Sequence, residues 1–306
     1  MKFDKILPIK TLAAQIGATA IIGDDSLNVL GINEIHQVKT GDITFSDVKK
    51  YFEKALKSAA TFIILNEIPD AIPEGKVVLI HPQPFEAYDS IVRMHRPFTP
   101  LSMEIAESAF VHPSAIVEPH VFLGNHVRIG AGSYIRANAV IDDNTQIGKN
   151  VVIGVGAIIG TDAFYFKRNT EGYKKWRSGG RVVIEDNVDI GAGCTINRGV
   201  SSDTTIGTGT KLDCQVHVGH DVTIGKNCLI MAQVGIGGNT VLEDEVILYG
   251  QVGVAQNIRI GKKAIVLGQS GVTKSIEGGK TYFGCPIQEA LTAYKELAIL
   301  RQLTKK

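Results

Sequence analysis

The sequence predicts a mainly β protein wound as a parallel β-solenoid, and three observations carry that prediction. An aliphatic residue returns every sixth position from Val111 to Ile159, from Ile184 to Ile196 and from Ile206 to Val272. Glycine is abundant, at 33 residues, which suits tight corners. Aromatic residues make up only 7% of the chain, which suits a narrow core.

A six-residue period is the mark of a solenoid whose repeats cannot bury a core alone. Each hexad supplies one short strand and one corner. The aliphatic residue points inward, and the next residue is expected to turn the corner. Glycine often stands there, as in Leu123-Gly124, Ile129-Gly130, Ile147-Gly148 and Ile153-Gly154. Three hexads close a triangular coil of 18 residues. Successive coils stack at the strand spacing of about 4.8 Å. A β-sandwich would show uneven strand spacing and alternating polar faces, and the 24 in-phase aliphatics oppose it.

Three segments fall outside the period. Residues 1–100 read as a small α/β domain. Its first strand and helix lie in MKFDKILPIKTLAAQIGA, which lacks the apolar run of a signal peptide. The domain mixes helical stretches (Lys10–Gly17, Val48–Ala59) with strand-like runs (Ala60–Leu65, Lys76–Ile80), and Arg96–Pro100 forms a linker. The solenoid domain spans 101–285. Within it, residues 162–180 form an ejected loop holding Phe164, Tyr165, Phe166, Tyr173 and Trp176 among five cations. Residues 286–306 read as a C-terminal helix that starts at Pro286 and carries Leu291, Tyr294 and Leu297 on one face.

Composition removes several classes of function. With 32 basic and 31 acidic residues, the chain lacks the cationic excess of a polyanion binder. No run of 18 apolar residues marks a membrane span. Cys194, Cys214, Cys228 and Cys285 form neither a metal-type pair nor a disulfide framework, so a reducing cytoplasm is the expected location.

The order of several landmarks resembles one family in particular. They are Gly41-Asp42-Ile43-Thr44-Phe45, Gly160-Thr161-Asp162-Ala163-Phe164, Thr195-Ile196-Asn197-Arg198-Gly199, Gly219-His220-Asp221-Val222 and Tyr282-Phe283-Gly284-Cys285-Pro286. Together they resemble the UDP-3-O-(3-hydroxyacyl)glucosamine N-acyltransferases of lipid A biosynthesis, over nearly the whole chain. The resemblance implies a left-handed parallel β-helix and a homotrimer with active sites between neighbouring helices. It implies no tightly bound cofactor. It further implies a 3-hydroxyacyl thioester carried on the phosphopantetheine of acyl carrier protein, and amide formation at the 2-amino group of UDP-3-O-acylglucosamine.

An amine attacking a thioester must lose a proton, and a neutral imidazole takes it well near pH 7. His220 falls where the family places its catalytic base. Arg198 is the third residue of its hexad, as His220 is, so the two are expected on adjacent coils. Arg198 could bind substrate, or it could fix the inserted loop. Asp213 matches a family aspartate and is a possible orienter of His220, with a structural role as the alternative. Asn257 stands where the family carries a second histidine near the donor, and an amide there can still donate a hydrogen bond to an oxyanion. His217, three residues before His220, is a candidate for the groove.

Phe45 and Tyr51 match the family's aromatics that stack on uracil, with core packing as the alternative. Phe164 on the ejected loop is a candidate to cover the sugar. Lys274 matches a cation that would steer the acidic carrier protein, and Lys295, Arg301, Lys305 and Lys306 allow the same reading.

Two departures keep other functions open. The second histidine is missing, and Val48 replaces the asparagine between the two aromatics. A divergent acyltransferase for another nucleotide amino sugar, or a binding paralogue without turnover, would tolerate both. A zinc lyase is a third class, since one group of carbonic anhydrases has this fold and binds zinc through three histidines. Here His217 and His220 are neighbours, but a third histidine would have to come from distant His112, His120 or His126; the cluster of Asp213, His217, His220 and Asp221 still permits weak metal binding, and no metal is assigned.

Overall fold

The computed structural model describes residues 1–303, so Lys305 and Lys306 lie outside the described residues. It divides into two compact units. One holds residues 1–99 together with 165–179 and 200–202, and the other holds 100–164, 180–199 and the chain from 203 onward.

The second unit is a parallel β-helix with three faces, formed by sheets of eight, ten and eight strands. Most strands are only two residues long, such as His217–Val218 and Gly235–Ile236. Pairing is parallel and in register at a step of 18 residues. Ile129 stands opposite Ile147, Val218 opposite Ile236 and Leu248 opposite Val266. The aliphatic series fills the interior, from partly buried Val111 and Val117 to fully buried Ile141, Ile206 and Val218. The phase break at Asp162 closes cleanly, because Ile184 pairs with Ile147 across the ejected segment.

A second inward position lies two residues before each aliphatic. Val216, Val222, Cys194 and Cys228 occupy it, all buried. Ser or Thr takes this place in several coils, and there Thr210 donates its hydroxyl to the Gly225 carbonyl of the next coil at 2.8 Å and Thr240 to that of Ala255 at 2.9 Å. Each such bond spares the core an unpaired hydroxyl.

The corner differs from the sequence expectation. The left-handed residue comes three places after the aliphatic, not one, and is usually a polar non-glycine: Asn138 (φ 61°), Asp221 (φ 55°) and Asn257 (φ 61°) are examples. Short polar side chains tolerate this conformation better than most. The glycine directly after the aliphatic has another cause. A Cβ on Gly154 would lie 2.6 Å from the backbone nitrogen of Ala192 on the next coil, so close stacking of corners requires its absence.

The solenoid closes differently from expectation at its C-terminal end. The helix begins at Ala290 rather than at Pro286, because Gln288 and Glu289 first pair as a short antiparallel strand with Phe283 and Tyr282. Ala290 and Ala293 are its buried residues, whereas Leu291, Tyr294 and Leu297 are exposed.

The first unit is a six-stranded mixed sheet. In spatial order its strands are Lys2–Pro8, Asn28–Ile32, Asp42–Ser46, Phe62–Leu65, Val77–Ile80 and Ala20–Ile22. Helices Ile9–Ile16, Phe52–Leu56 and Pro84–His95 accompany it. The residues of the ejected segment group here. Phe166–Asn169 and Gly172–Lys175 form a hairpin, Lys167 pairs with Asp47, and Lys174 pairs with Glu86. Trp176 sits in an aromatic cluster with Phe45, Phe85 and Tyr88 at ring distances of 4.9–5.6 Å. Among the described residues no helix is long and apolar enough to cross a membrane.

Candidate active site

The site lies on the solenoid face that carries strands Thr195–Asn197, His217–Val218, Gly235–Ile236, Gly253–Val254 and Gly271–Val272. Val218 turns inward, Gly219 permits close stacking, and His220 then stands at the corner just before left-handed Asp221. In an extended strand neighbouring side chains point to opposite faces. The left-handed turn at Asp221 instead brings its carboxylate back to the preceding ring. Nδ1 of His220 lies 2.9 Å from Oδ2 of Asp221. Both residues are buried, and the Asp221 N–H donates to Thr204 Oγ1 at 2.9 Å.

An ionised carboxylate only accepts hydrogen bonds, so it holds the proton of the neutral ring on Nδ1. Nε2 is left as the acceptor, the state a general base needs. His220 lines a cavity of about 500 Å³ together with Asn197, His217, Gly238 and exposed Phe164.

The same cavity extends as a trough along the outer face. Gly235, Gly253 and Gly271 stack above His217 in register. A Cβ on Gly235 or Gly253 would meet nothing within 4 Å, so the fold itself does not demand glycine there. The trough stays open over these two because side chains are missing, whereas at Gly271 it is bounded by Cys285, whose Sγ would lie 3.0 Å from a Cβ. His217 stands at its head. Nδ1 of His217 lies 2.8 Å from Thr195 Oγ1, and although the residue is exposed at its surface, partial desolvation of the ring pushes the imidazole pKa down, favouring the neutral ring.

The other residues singled out from sequence fall in different places. Arg198 does lie one coil before His220, since Ile196 pairs with Val218. Its guanidinium, however, bonds Asp142 at 2.7 Å and the Gly160 carbonyl at 2.5 Å, anchoring the point where the loop leaves the coil. Asp213 accepts from the Cys214 N–H at 2.7 Å; the carboxylate on His220 is that of Asp221. Asn257 is an exposed corner residue two coils beyond Asp221 and does not line the cavity. Lys274 is exposed three coils beyond His220, about 14 Å at the usual strand spacing.

Phe45 and Tyr51 belong to the first unit. Phe45 packs 4.9 Å from the Tyr88 ring and 5.5 Å from Trp176, whereas Tyr51 is half exposed with Lys50 over its ring. No group of three or more His, Cys, Asp or Glu able to hold a metal occurs among the described residues. Sequence reasoning named Asp221 without its contact to His220 and did not find the row of Gly235, Gly253 and Gly271 as a trough. Both were readable as columns 18 residues apart, once the corner conformation was known.

Known proteins similar to this chain are acyltransferases. A family model described as bacterial transferase hexapeptide (six repeats) matches residues 203–238. The UDP-3-O-acylglucosamine N-acyltransferase of Granulibacter bethesdensis is 39% identical over 236 residues, covering 69% of this chain and 69% of that protein. The protein of the same name from Rhizobium rhizogenes is 51% identical over 59 residues, 19% of this chain and 17% of its own. Among solved structures, a Francisella novicida UDP-N-acetylglucosamine acyltransferase aligns with 59% of this chain and 66% of its own, at 32% identity and a TM-score of 0.49. By its similarity to the Granulibacter protein along two thirds of both chains, this chain belongs to the UDP-3-O-acylglucosamine N-acyltransferase family and is an acyltransferase that acts on nitrogen.

Proposed function

We propose that the chain moves a 3-hydroxyacyl group from acyl carrier protein to the 2-amino group of UDP-3-O-acylglucosamine in lipid A biosynthesis, with His220 as the general base. The observation that carries this reading is the buried His220–Asp221 pair at the mouth of a glycine-walled trough. His220 Nε2 takes a proton as the amine nitrogen attacks the thioester carbonyl carbon. Asp221 stabilises the imidazolium that forms. The carbon–sulfur bond then breaks, and His220 returns the proton to the leaving thiolate, giving amide and free thiol.

The oxyanion needs a donor at the same point. Gly238 lines the cavity beside His220, and its N–H bonds no group among the described residues, which fits that role. The open trough over Gly235 and Gly253 suits an alkyl chain, whose burial there is favourable in proportion to its area.

The remaining assignments belong to the same reading. His217 and Phe164 border the acceptor, and Arg198 holds the loop that frames it. Asn257 and Lys274 lie further along the solenoid, on the side from which a carrier-borne donor would arrive. Asp213 has no part in the proton transfer. Phe45 and Tyr51 would contact the uracil, the working form would be a homotrimer, and the reaction would run in the cytoplasm, where the carrier protein resides.

The test is transfer from 3-hydroxyacyl carrier protein to UDP-3-O-acylglucosamine by wild type and by His220→Ala. Turnover that collapses in a folded variant supports both the reaction and the base. An inactive wild type, under conditions where a known relative works, sinks the reaction as stated.

A further inference from the structure

Gln256 lines the reaction cavity, and the proton transfer leaves it without a task. It stands two residues after Val254, as His220 stands after Val218 and Gly238 after Ile236, and these strands pair in register. His220, Gly238 and Gln256 therefore form one column along the corner, each about 4.8 Å beyond the last. At three other corners the residue in this place is an aspartate, whose carboxylate accepts the N–H one coil below. Asp143 accepts from Asn125 at 2.6 Å, Asp186 from Lys149 at 2.7 Å and Asp244 from Lys226 at 2.9 Å. Gln256 makes no such bond. The Gly238 N–H beneath it bonds no group among the described residues, and neither does the side-chain amide of Gln256. Gln256 is exposed at the cavity wall, so a ligand in the cavity reaches it.

We propose that the side-chain amide of Gln256 hydrogen-bonds the pantetheine amide nearest the thioester, and so holds the arm of the acyl donor. The inference rests on the acyl-transfer reading above. With the thioester carbonyl at Gly238, the sulfur begins an arm of two methylenes that ends in an amide. Gln256 stands one coil further along the same column, on the side toward Lys274. Its Nε2 donates to the carbonyl of that amide. The acyl chain takes the neighbouring column over Gly235 and Gly253, where a Cβ would meet nothing and no polar side chain stands. The two columns thus sort the donor by chemistry, the alkyl tail over glycine and the amide arm over Gln256. Gln256 exchanges no proton and takes part in no bond change. It is a binding residue for the donor.

The experiment uses two donors that differ only in this amide, the 3-hydroxyacyl thioesters of N-acetylcysteamine and of 2-ethoxyethanethiol. The readout is the ratio of their kcat/KM values, because general loosening of the site lowers both together. Wild type should prefer the amide donor. In Gln256→Leu, which keeps the bulk and lacks the amide, the preference should fall by about threefold to tenfold, the worth of one hydrogen bond. An unchanged ratio overturns the proposal. A raised KM for UDP-3-O-acylglucosamine with that ratio unchanged assigns Gln256 to the acceptor and overturns it as well. Gln256→Ala should shift the ratio in the same way, and carries the test if Gln256→Leu does not fold.

Where wild type transfers from neither thioester nor from acyl carrier protein, calorimetric titration decides. The probes are the S-hexyl thioethers of the same two thiols, which cannot transfer. A wild type that binds the amide thioether more tightly, while Gln256→Leu does not, refutes the transfer reading and keeps the role of Gln256. Equal affinities in wild type, or no binding of either thioether, refute the role of Gln256.

Discussion

Gly238 lies against the imidazole of His220, such that a Cβ on Gly238 would stand 2.5 Å from Nε2. The nearest obstacles to a side chain at Gly238 are all atoms of that ring, not backbone. Gly238 has no positive φ that would strain another residue. Gly238→Ala should therefore leave the solenoid folded and push the imidazole off its bond to Asp221. Displacing a reacting group by about 1 Å lowers turnover roughly 100-fold. Steady-state kinetics and circular dichroism on the same preparation check both halves; full activity would mean that the ring position is not critical.

Asp221→Asn tests the orienting carboxylate without disturbing the corner. Asparagine already occupies the equivalent left-handed position at Asn138, Asn144, Asn227 and Asn239, so the backbone accepts it. An amide can donate to Nδ1 and stabilise the wrong tautomer. The rate should drop about 10²–10⁴-fold, the usual worth of a positioned base, with little change in thermal midpoint. Activity within a few fold of wild type would remove Asp221 from the mechanism.

Gly253→Leu should fill the trough with little strain at the backbone, because a Cβ there meets nothing within 4 Å. Long acyl donors should lose roughly tenfold or more in kcat/KM, while short ones are spared. A profile that moves equally at every chain length would show that the acyl chain runs elsewhere.

His217 gives a pH signature. Burial lowers its folded pKa below the ordinary value of 6.5, so the unfolded chain binds the proton more tightly. The stability this contributes is complete above the unfolded pKa and is lost as pH falls through the lowered folded value. Wild type should lose thermal midpoint faster than His217→Gln as the pH falls below about 6.5, with parallel behaviour at pH 7 and above. Parallel curves throughout would contradict the shift.

The cysteines should separate by reactivity. Cys214 and Cys285 are exposed, whereas Cys194 and Cys228 are buried, and burial drives the Cys194 thiol up to about 11. Thiolate is the reactive form. A disulfide reagent near pH 7 should modify two thiols rapidly in the folded protein and all four in denaturant. Mapping the labelled peptides would reveal any fast reaction at Cys194.

The sequence made the solenoid legible because each inward aliphatic repeats an identical geometric demand. Val218 and Ile236 face one interior and pair across one coil. The corner was less legible, because left-handed positions are filled by Asn, Asp, Gln, His, Glu, Lys and Gly, and no single residue type marks them. That gap hid the contact of Asp221 to His220. Adjacent strand residues should point apart, and only the turn at Asp221 makes the two side chains meet. Asp213 and Asn257 were placed by similarity to relatives, which fixes a column but not the contacts made within it. Pro286 imitated a helix start because the pairing of Gln288 and Glu289 with the preceding strand is not encoded in propensity.

The 18-residue register makes length an independent variable of this molecule. Removing a whole coil, for example residues 243–260, would leave every later side chain on its original face. It would shorten the trough by one glycine and bring Lys274 one step, about 4.8 Å, nearer to His220. Removing a single hexad would instead rotate everything downstream by one face and carry Gly271 away from the row above His217. Distance from the base can thus change only in whole coils, while direction is held constant. The solenoid behaves as a graduated scale on which reach can be reset without redesigning the reacting centre.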